Sequence, residues 1–383
     1  MSTRKHQHKP AGIKETLTSL IIAFMLAFLF RGFVIEGFVI PTSSMAPTLM
    51  GKHMQITSPV NGYSWAVGPW DTNGRNGPPL RVQGTRSAIE LNDPMTGKTI
   101  TKTNVRLSSG DRVFVLKYLP FLHTPERWNV VVFKNPGTHQ NFIKRLVGLP
   151  GEQVVFVDGD VFTRPFTEDT TKIGWDSWKE NSWQIARKPE RVQRTMFLPV
   201  YNSKYAPIII DPSFRSPLVG APGGQWSGLH TNVYSYTGSG TTTLDWSSSR
   251  SITDHLPYNQ INSGYDLFAS PADPLSKANN PRPYSVSDIS MALNIKPTDA
   301  PVAVMPTIEA RGMVFRAVVD PAARTASVQL KADQNTGTQW EVLDSGAIDE
   351  GSGGYTNIEF WHVDQALWLF IDGQLVCGGP DKG

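Results

Sequence analysis

The sequence predicts a mainly β protein with one membrane-spanning helix at its amino terminus. Three observations lead to this fold class: an uncharged apolar stretch near the start, many short alternating apolar segments bounded by turn residues, and 33 Gly with 29 Pro among 383 residues. Gly and Pro interrupt long helices and favour turns, so short strands joined by turns are expected. The length allows two or three domains.

The apolar stretch is TLTSLIIAFMLAFLF, residues 16–30, and it contains no charged residue. A helix that continues to Ile35 reaches about 30 Å at about 1.5 Å per residue, the thickness of a bilayer core. We therefore predict a transmembrane signal anchor over residues 15–35. No small-x-small cleavage site follows the stretch, which argues against a cleaved signal peptide and leaves a buried core helix as the alternative.

The residues before this stretch are basic, and they set its expected orientation. Arg4, Lys5, Lys9 and Lys14 all lie in the first 14 residues. Positive flanks stay on the cytoplasmic side of a membrane, so residues 1–14 are predicted to be a cytoplasmic tail and the remainder to lie outside.

Composition argues against several classes of function. The chain has 36 basic and 33 acidic residues, and no basic block outside its amino terminus, so nucleic acid is not an expected partner. Its single cysteine, Cys377, cannot form a thiolate cluster, and the histidines show no ligand-like spacing. No metal and no cofactor are predicted.

The stretch VIPTSSMAPTL, residues 39–49, follows the apolar segment and carries several hydroxyl groups. A serine hydroxyl is a weak nucleophile until a base removes its proton, and that base can be a histidine or a desolvated lysine. No G-x-S-x-G motif is present and no histidine falls within a hydrolase motif, so a lysine base is sought. From the residues alone, Ser43 and Ser44 are equal candidates.

Two lysines could supply that base. Lys144 lies among apolar residues in NFIKRLVGLPGE, where burial in a strand would favour its uncharged form. Lys134 ends a second strand-like run, RWNVVVFKNP, and is equally well placed by composition. Around them, GDRVFVLKY predicts a strand and GEQVVFVDGDVFTRP predicts a hairpin that turns at Asp158-Gly159.

The serine stretch, GDRVFVLK, RWNVVVFK and NFIKRLVGLPGE resemble, in this order, the conserved boxes of bacterial type I signal peptidases. These proteins are membrane-anchored Ser/Lys endopeptidases, and the resemblance covers roughly residues 15–165. It implies that Ser44 is the nucleophile and Lys144 the general base. The Thr42 hydroxyl and the backbone N–H of Ser44 would then bind the oxyanion.

The resemblance implies further roles in an antiparallel β catalytic core over residues 36–165. Gly110, Asp111 and Arg145 correspond to structural positions. The expected substrate contacts are Phe38, Ile40, Met45 and Ile143, although Met45 could equally fill the core.

The same resemblance implies the partners and the location of the protein. Signal peptides of secreted preproteins, with small residues before the cleavage site, are the expected substrates, and membrane lipid is the expected surroundings. The location would be the bacterial cytoplasmic membrane, crossed once, with the catalytic part on the extracytoplasmic side.

One box of the resembled family is missing from this sequence. The family continues to Gly-Asp-Asn followed by Ser-x-Asp-Ser-Arg, whose serine hydrogen-bonds the base lysine. The nearest fragment here is SVSDIS, residues 285–290, which lacks the Gly-Asp-Asn lead-in and begins a predicted strand. Either the chain stops before that box, or the protein lacks this support and is catalytically impaired.

The second half of the chain predicts a connector over residues 166–207 and a jelly-roll-like β-sandwich over residues 208–383. Alternating runs such as TASVQLKAD, and an Asp-Gly turn at Asp372, resemble concanavalin-like or laminin-G-like sandwiches. A carbohydrate or protein ligand is therefore considered. Five tryptophans could stack on a sugar or simply fill the core: Trp226, Trp246, Trp340, Trp361 and Trp368.

The predicted function is removal of signal peptides from preproteins by a membrane-bound Ser/Lys endopeptidase. Two alternatives remain open. One is a catalytically impaired, membrane-tethered binding protein that displays a lectin-like sandwich. The other is a self-cleaving, repressor-type Ser/Lys peptidase, against which the anchor and the lack of a DNA-binding helix pair both argue.

Overall fold

The structure is a computed structural model that describes residues 12–68, 89–103, 105–166, 182–209, 214–248, 250, 252–253, 285–297, 301–332, 339–349 and 355–382. These residues are mainly antiparallel β, with an apolar helix near the amino terminus, so the predicted fold class is confirmed. The described α-helices are α1 Ile13–Phe33, α2 Leu119–Leu122 and α3 Glu190–Arg194.

Helix α1 has 21 residues, an 18-residue stretch of it has a mean hydropathy of 1.9, and it is long and apolar enough to cross a membrane. At about 1.5 Å per residue it measures about 31 Å. None of its side chains is buried against the rest of the protein. The predicted helix end at Ile35 is wrong by two residues, because Ile35 pairs with Leu116 and begins the first strand.

The region between α1 and α3 is built from small antiparallel sheets. Its strands are β1 Ile35–Val39, β2 His53–Thr57, β3 Ser64–Val67, β4 Ile89–Asn92, β5 Thr99–Lys102, β6 Leu107–Ser108, β7 Arg112–Leu116, β8 Val130–Lys134, β9 Asn141–Arg145, β10 Glu152–Val157, β11 Asp160–Pro165 and β12 Gln184–Ile185. The sheet orders are β1-β7, β3-β2-β6, β4-β5, β8-β9 and β10-β11-β12. Each sheet is too small to bury much apolar surface by itself.

The hairpin predicted at Asp158-Gly159 is confirmed. Strands β10 and β11 pair from Glu152↔Pro165 to Val157↔Asp160. Asp158 and Gly159 have φ values of 50° and 87°, the left-handed pair that a two-residue type I′ turn requires.

Residues 214–248 form two further two-stranded sheets outside the larger sheets described next. Their strands are β13 Leu218–Gly220, β14 Trp226–Ser227, β15 Ser235–Tyr236 and β16 Leu244–Trp246, paired as β13-β16 and β14-β15. Arg250 attaches this region to the loop between β4 and β5, because its Nη2 donates to the Pro94 carbonyl at 2.8 Å.

Two four-stranded antiparallel sheets form a sandwich in the last hundred residues. Their strands are β17 Ile289–Ile295, β18 Thr307–Ala310, β19 Met313–Asp320, β20 Thr325–Lys331, β21 Glu341–Ala347, β22 Thr356–Val363, β23 Ala366–Ile371 and β24 Gln374–Gly378. The orders are β17-β22-β23-β24 and β18-β19-β20-β21. Between the sheets, Ala317, Val328, Phe360 and Leu369 are fully buried, so alternating apolar residues of both sheets make one core.

The tryptophan stacking platform considered from the sequence is not formed. Trp361 and Trp368 are 1% and 3% exposed and pack in a buried aromatic cluster on the outer face of their sheet. Trp226 and Trp246 belong to the small sheets before the sandwich, and Trp340 stacks with the Arg316 guanidinium at 3.7 Å. Aromatic packing therefore accounts for Trp361 and Trp368, and the five residues present no common surface to a sugar.

Candidate active site

The segment between β1 and β2, which we call the serine loop (residues 40–52), is held at both ends by Asp111. The Ile40 N–H donates to the Asp111 carbonyl at 2.9 Å, and the Asp111 N–H donates to the Met50 carbonyl at 2.8 Å. The Met50 N–H in turn donates to the Asp111 carboxylate at 2.7 Å. One residue thus closes the loop.

Two glycines allow the backbone around this loop to pack closely. A Cβ on Gly110 would lie 1.8 Å from the Ile40 carbonyl oxygen, and one on Gly51 would lie 2.2 Å from the Thr42 carbonyl carbon. No side chain fits at either position. The sequence analysis included Gly110 and missed Gly51, because a close approach between distant backbone segments leaves no local pattern.

Strand β9 brings Lys144 to the serine loop. Lys144 lies opposite Val131 in the β8-β9 pair. Its Nζ donates to the Ser44 Oγ at 2.6 Å and to its neighbour's carbonyl, Ile143, at 3.1 Å. The contact involves the Ser44 hydroxyl, whereas Lys134 lies at the far end of β8, opposite Asn141. Of the two lysines that composition could not separate, Lys144 is therefore the one in contact with Ser44.

The expectation that Lys144 is buried in its strand is wrong for its side chain. Both Lys144 and Ser44 are exposed, and the Lys144 Nζ lies 5.8 Å from the centre of the Phe142 ring. The reason is the size of the sheet. In the described part of the chain β8 and β9 pair only with each other, and a two-stranded sheet covers little of its own surface.

Arg145, the next residue of β9, ties the strand to the serine loop. Its Nη1 donates to the Trp128 carbonyl at 2.8 Å, and its Nη2 donates to the Thr48 Oγ1 at 3.0 Å. Burial lowers the pKa of Arg145, and the nearby charge of Arg191 adds to this effect. Arg145 therefore connects the end of β9 both to Trp128 and to the serine loop.

The other predicted site residues differ in how far they are buried. Thr42 is exposed, while Phe38 and Ile143 are half-buried. Ile40 and Met45 are 2% and 7% exposed, so their side chains fill the core beneath the loop. This is the alternative that the sequence left open for Met45.

A half-buried ion pair between Arg127, which precedes β8, and Glu152 of β10 was missed by sequence reasoning. Arg127 contacts Glu152 through two bonds of 2.7 Å each. The hydrogen bonds from Arg127 hold the pKa of Glu152 below its ordinary range. This bidentate pair connects the segment leading into β8 with the β10-β11 hairpin, and the two residues are 25 positions apart in the chain.

A second cluster of charged groups joins the β11 strand to the sandwich. Carboxylate oxygens of Asp160, Asp288 and Asp364 lie within 4.8 Å of one another. The Lys188 Nζ contacts Asp364 and lies 3.8 Å from Asp288, and an Arg311 nitrogen lies 2.8 Å from Asp160.

Lys188 and Arg311 neutralise part of this acidic cluster, so it contains its own cations. Burial raises the pKa of Asp288 to about 6, and the carboxylates of Asp364 and Asp160 add to the rise while Lys188 opposes it. Asp288 lies in the SVSDIS fragment, which therefore belongs to this junction.

Comparisons with known proteins find similarity in the part of the chain that contains Ser44 and Lys144. The sequence profile of the family "Signal peptidase, peptidase S26" matches residues 13–72 and 95–188. Signal peptidase I of Buchnera aphidicola subsp. Schizaphis graminum is 28% identical over 142 residues, which cover 37% of this chain and 31% of that protein. Signal peptidase I of Rickettsia bellii strain OSU 85-389 is 24% identical over 163 residues, 42% of this chain and 43% of that protein.

The chain thus spans about a third to a half of the length of these curated relatives. No solved structure matches it. The match to the family profile ends at residue 188, before α3 and the sandwich, and it supports signal peptide removal as the activity of the family that the matched residues resemble.

Proposed function

We propose that this protein is a membrane-anchored serine endopeptidase that removes signal peptides, with Ser44 as nucleophile and Lys144 as general base. The observation that carries the proposal is the 2.6 Å contact between the Lys144 Nζ and the Ser44 Oγ. The two residues are 100 positions apart, and both lie in the matched segments. A lysine amine next to a serine hydroxyl is the arrangement that nucleophilic catalysis without histidine requires.

In the proposed reaction, uncharged Lys144 takes the proton of the Ser44 hydroxyl as the Oγ attacks the scissile carbonyl carbon. The Thr42 hydroxyl and the Ser44 N–H stabilise the oxyanion that forms. Protonated Lys144 then gives its proton to the leaving amine, and the substrate remains as an ester on Ser44. A water molecule, deprotonated by Lys144, hydrolyses the ester and restores both residues.

The exposed position of Lys144 gives the substrate a part in this chemistry. Among the described residues, β1 pairs only with β7, so its other edge is available to an extended peptide. A peptide lying there beside Ser44 would exclude water from the Lys144 amine. Desolvation favours an uncharged amine, which is the form that accepts a proton.

The surroundings of α1 support a site close to the lipid surface. Ser44 follows the helix end at Phe33 by eleven positions (44 minus 33). Strand β7 and helix α2 expose the apolar side chains of Phe114, Phe121 and Leu122, which are 75%, 88% and 76% exposed. In the proposal these side chains contact lipid, the basic residues 1–14 lie in the cytoplasm, and the serine loop lies on the outer side.

The test uses the full chain in lipid vesicles with a preprotein substrate. Ser44→Ala and Lys144→Met should each lower the cleavage rate by at least about a thousandfold, because each removes a member of the reacting pair. The matched controls are Ser43→Ala and Lys134→Met, the two residues that the sequence could not separate from them. Both controls should retain cleavage.

Unchanged processing by either Ser44→Ala or Lys144→Met would contradict the assignment. If the unmodified chain binds preprotein but cleaves none, the alternative of a catalytically impaired binding protein is favoured instead. If cleavage is lost in Lys134→Met and retained in Lys144→Met, the general base is Lys134 of β8 and not Lys144.

A further inference from the structure

Helix α3 is the first element after the matched part of the chain, and it contacts three separate regions of the molecule. We propose that the sandwich fixes α3 in place and that α3 in turn holds the serine loop against β9. Thr48 and Arg194 are then positioning residues. The proposal gives the sandwich a role in the activity of the distant Ser44. Only the kinetic part of its test rests on the proposed function.

The first contact joins α3 to the sandwich. The Arg194 guanidinium lies 4.5 Å from the Trp361 ring centre and 4.8 Å from that of Phe370. Its Nη1 pairs with the Glu359 carboxylate at 2.9 Å. Phe197, which follows the helix, packs edge-on against Trp361 with a 5.0 Å centroid separation. Stacking on two aromatic faces and a carboxylate fixes Arg194 on the outer face of β22 and β23.

The second contact joins α3 to the region that carries β8 and β9. Val192 is 5% exposed and packs in a small core with Trp128 and Val161. The backbone carbonyl of Trp128 accepts a hydrogen bond from Arg145, and the backbone N–H of Trp128 donates to the Leu146 carbonyl at 2.7 Å. The helix therefore lies against the residue that anchors the end of β9, next to Lys144.

The third contact joins α3 to the serine loop. The Thr195 carbonyl, at the end of the helix, accepts from the Thr48 Oγ1 at 3.4 Å, while the same Oγ1 accepts from Arg145 at 3.0 Å. A hydroxyl can donate one hydrogen bond and accept others, so both contacts use Thr48 at once. Thr48 thereby links the loop, β9 and α3.

The three contacts form a continuous path from the sandwich to the nucleophile. The aromatic face holds Arg194, the helix presents the Thr195 carbonyl, and Thr48 fixes the loop four residues after Ser44 (48 minus 44). Catalysis depends on the separation of the reacting groups, and a displacement of about 1 Å can lower a rate about a hundredfold. A loosened α3 should therefore misplace Ser44 relative to Lys144.

The first test is independent of catalysis and measures hydrogen–deuterium exchange of residues 42–50 in the full chain. Arg194→Ala should raise the exchange of the Leu49 and Met50 amides about tenfold, equivalent to about 1.4 kcal/mol of local opening free energy. The matched control is Arg316→Ala, which removes a similar arginine stacked on Trp340 in the other sheet of the sandwich. The control should leave residues 42–50 unchanged.

The second test uses variants that keep the sandwich intact. Thr48→Val removes the hydroxyl at nearly constant volume, and Thr48→Ser retains it. We expect Thr48→Val to lower kcat about tenfold at unchanged KM, the factor that corresponds to about 1.4 kcal/mol, with full or nearly full rescue in Thr48→Ser. Arg194→Ala should lower kcat in the same way, and Arg316→Ala should not.

Equal exchange of the serine loop in Arg194→Ala and Arg316→Ala would overturn the proposal, as would equal kinetics of Thr48→Val and Thr48→Ser. The proposed function fails separately. If Ser44→Ala cleaves as well as the unmodified chain, the peptidase assignment is lost. The exchange experiment would still decide whether α3 and the sandwich hold the loop.

Discussion

The sandwich and the region around Ser44 are held together in different ways. In the sandwich, two four-stranded sheets bury a common core in which residues such as Phe360 and Leu369 have no exposed surface. Around Ser44, the strands form two-stranded and three-stranded sheets, and exposed apolar side chains such as Phe114 remain. Packing between two larger sheets stabilises the first region, whereas the second combines smaller cores with individual contacts through Asp111, Arg145 and Gly110.

The difference teaches why a sandwich can matter to a site in another part of the chain. A loop between small sheets buries only a few of its side chains, here Ile40 and Met45, so its position also depends on the elements that touch it. A large core provides a rigid support for such contacts. In this molecule α3 makes the connection, with Arg194 on the sandwich and Thr195 at the serine loop.

The largest effect is expected from the core of the sandwich. Phe360→Ala should lower the free energy of unfolding by about 3–5 kcal/mol, because it removes a fully buried aromatic side chain and leaves a cavity. Phe114→Ala, at an exposed position, should change it by less than about 0.5 kcal/mol. Thermal unfolding of the full chain, followed by tryptophan fluorescence, measures both. Similar costs for the two variants would remove the contrast between the regions.

A smaller effect is expected from the backbone contact at Gly110. Gly110→Ala should destabilise the protein by about 3 kcal/mol or less, because its Cβ would meet the Ile40 carbonyl oxygen and force the serine loop to move. Gly37→Ala in β1 is the matched control, since its Cβ would be 3.5 Å from the Phe114 ring, an ordinary contact.

Amide exchange in residues 40–52 should rise in Gly110→Ala and stay unchanged in Gly37→Ala. Equal exchange in both variants would show that the close approach at Gly110 is not needed to hold the loop.

The smallest of these effects is expected at the junction, where Asp288 faces Asp160, Asp364 and Lys188. The pKa of Asp288 is raised from 3.8 to about 6, so the folded state binds this proton more tightly than the unfolded state. The contribution of Asp288 to stability is therefore greatest at acidic pH and is lost as the pH rises from about 4 to about 6.

Asp288→Asn mimics the protonated side chain, so the variant should not lose stability through ionisation at position 288 as the pH rises. The variant should be more stable than the unmodified chain at pH 7.5 by on the order of 2 kcal/mol, and the two should converge near pH 4. Thermal unfolding across this pH range measures the difference. A variant that is less stable at pH 7.5 would mean that the attraction of Lys188 for the charged form outweighs its cost.

Much of the architecture could be predicted because its causes are local. The uncharged run predicts α1, and alternating apolar residues predict the strands of the sandwich. Two turns could be predicted as well, Asp158-Gly159 in the β10-β11 hairpin and Asp372-Gly373 in the sandwich, because positive φ values favour these residues. The end of α1 was misplaced because pairing of Ile35 with Leu116, 81 positions away (116 minus 35), decides where the helix stops.

The candidate site could be predicted only in part, because its contacts also join segments that are distant in the chain. The sequence suggested Ser44 and Lys144 through an ordered set of motifs, but it could not show that the Lys144 side chain is exposed. Nor could it reveal the close packing at Gly51, the hydrogen bonds of Thr48 or the contact of Arg194 with the sandwich, because each depends on segments that are distant in the chain.

The sequence by itself determined the apolar anchor, the β character and the residue types available for Ser/Lys chemistry, since composition and periodicity act on neighbouring residues. Tertiary structure alone decided that Ser44 meets Lys144, that Trp361 and Trp368 are buried, and that Lys188 lies beside Asp288 and Asp364. The physical reason is that burial and the distance between two side chains are properties of packed, non-local elements, whose geometry no short segment encodes.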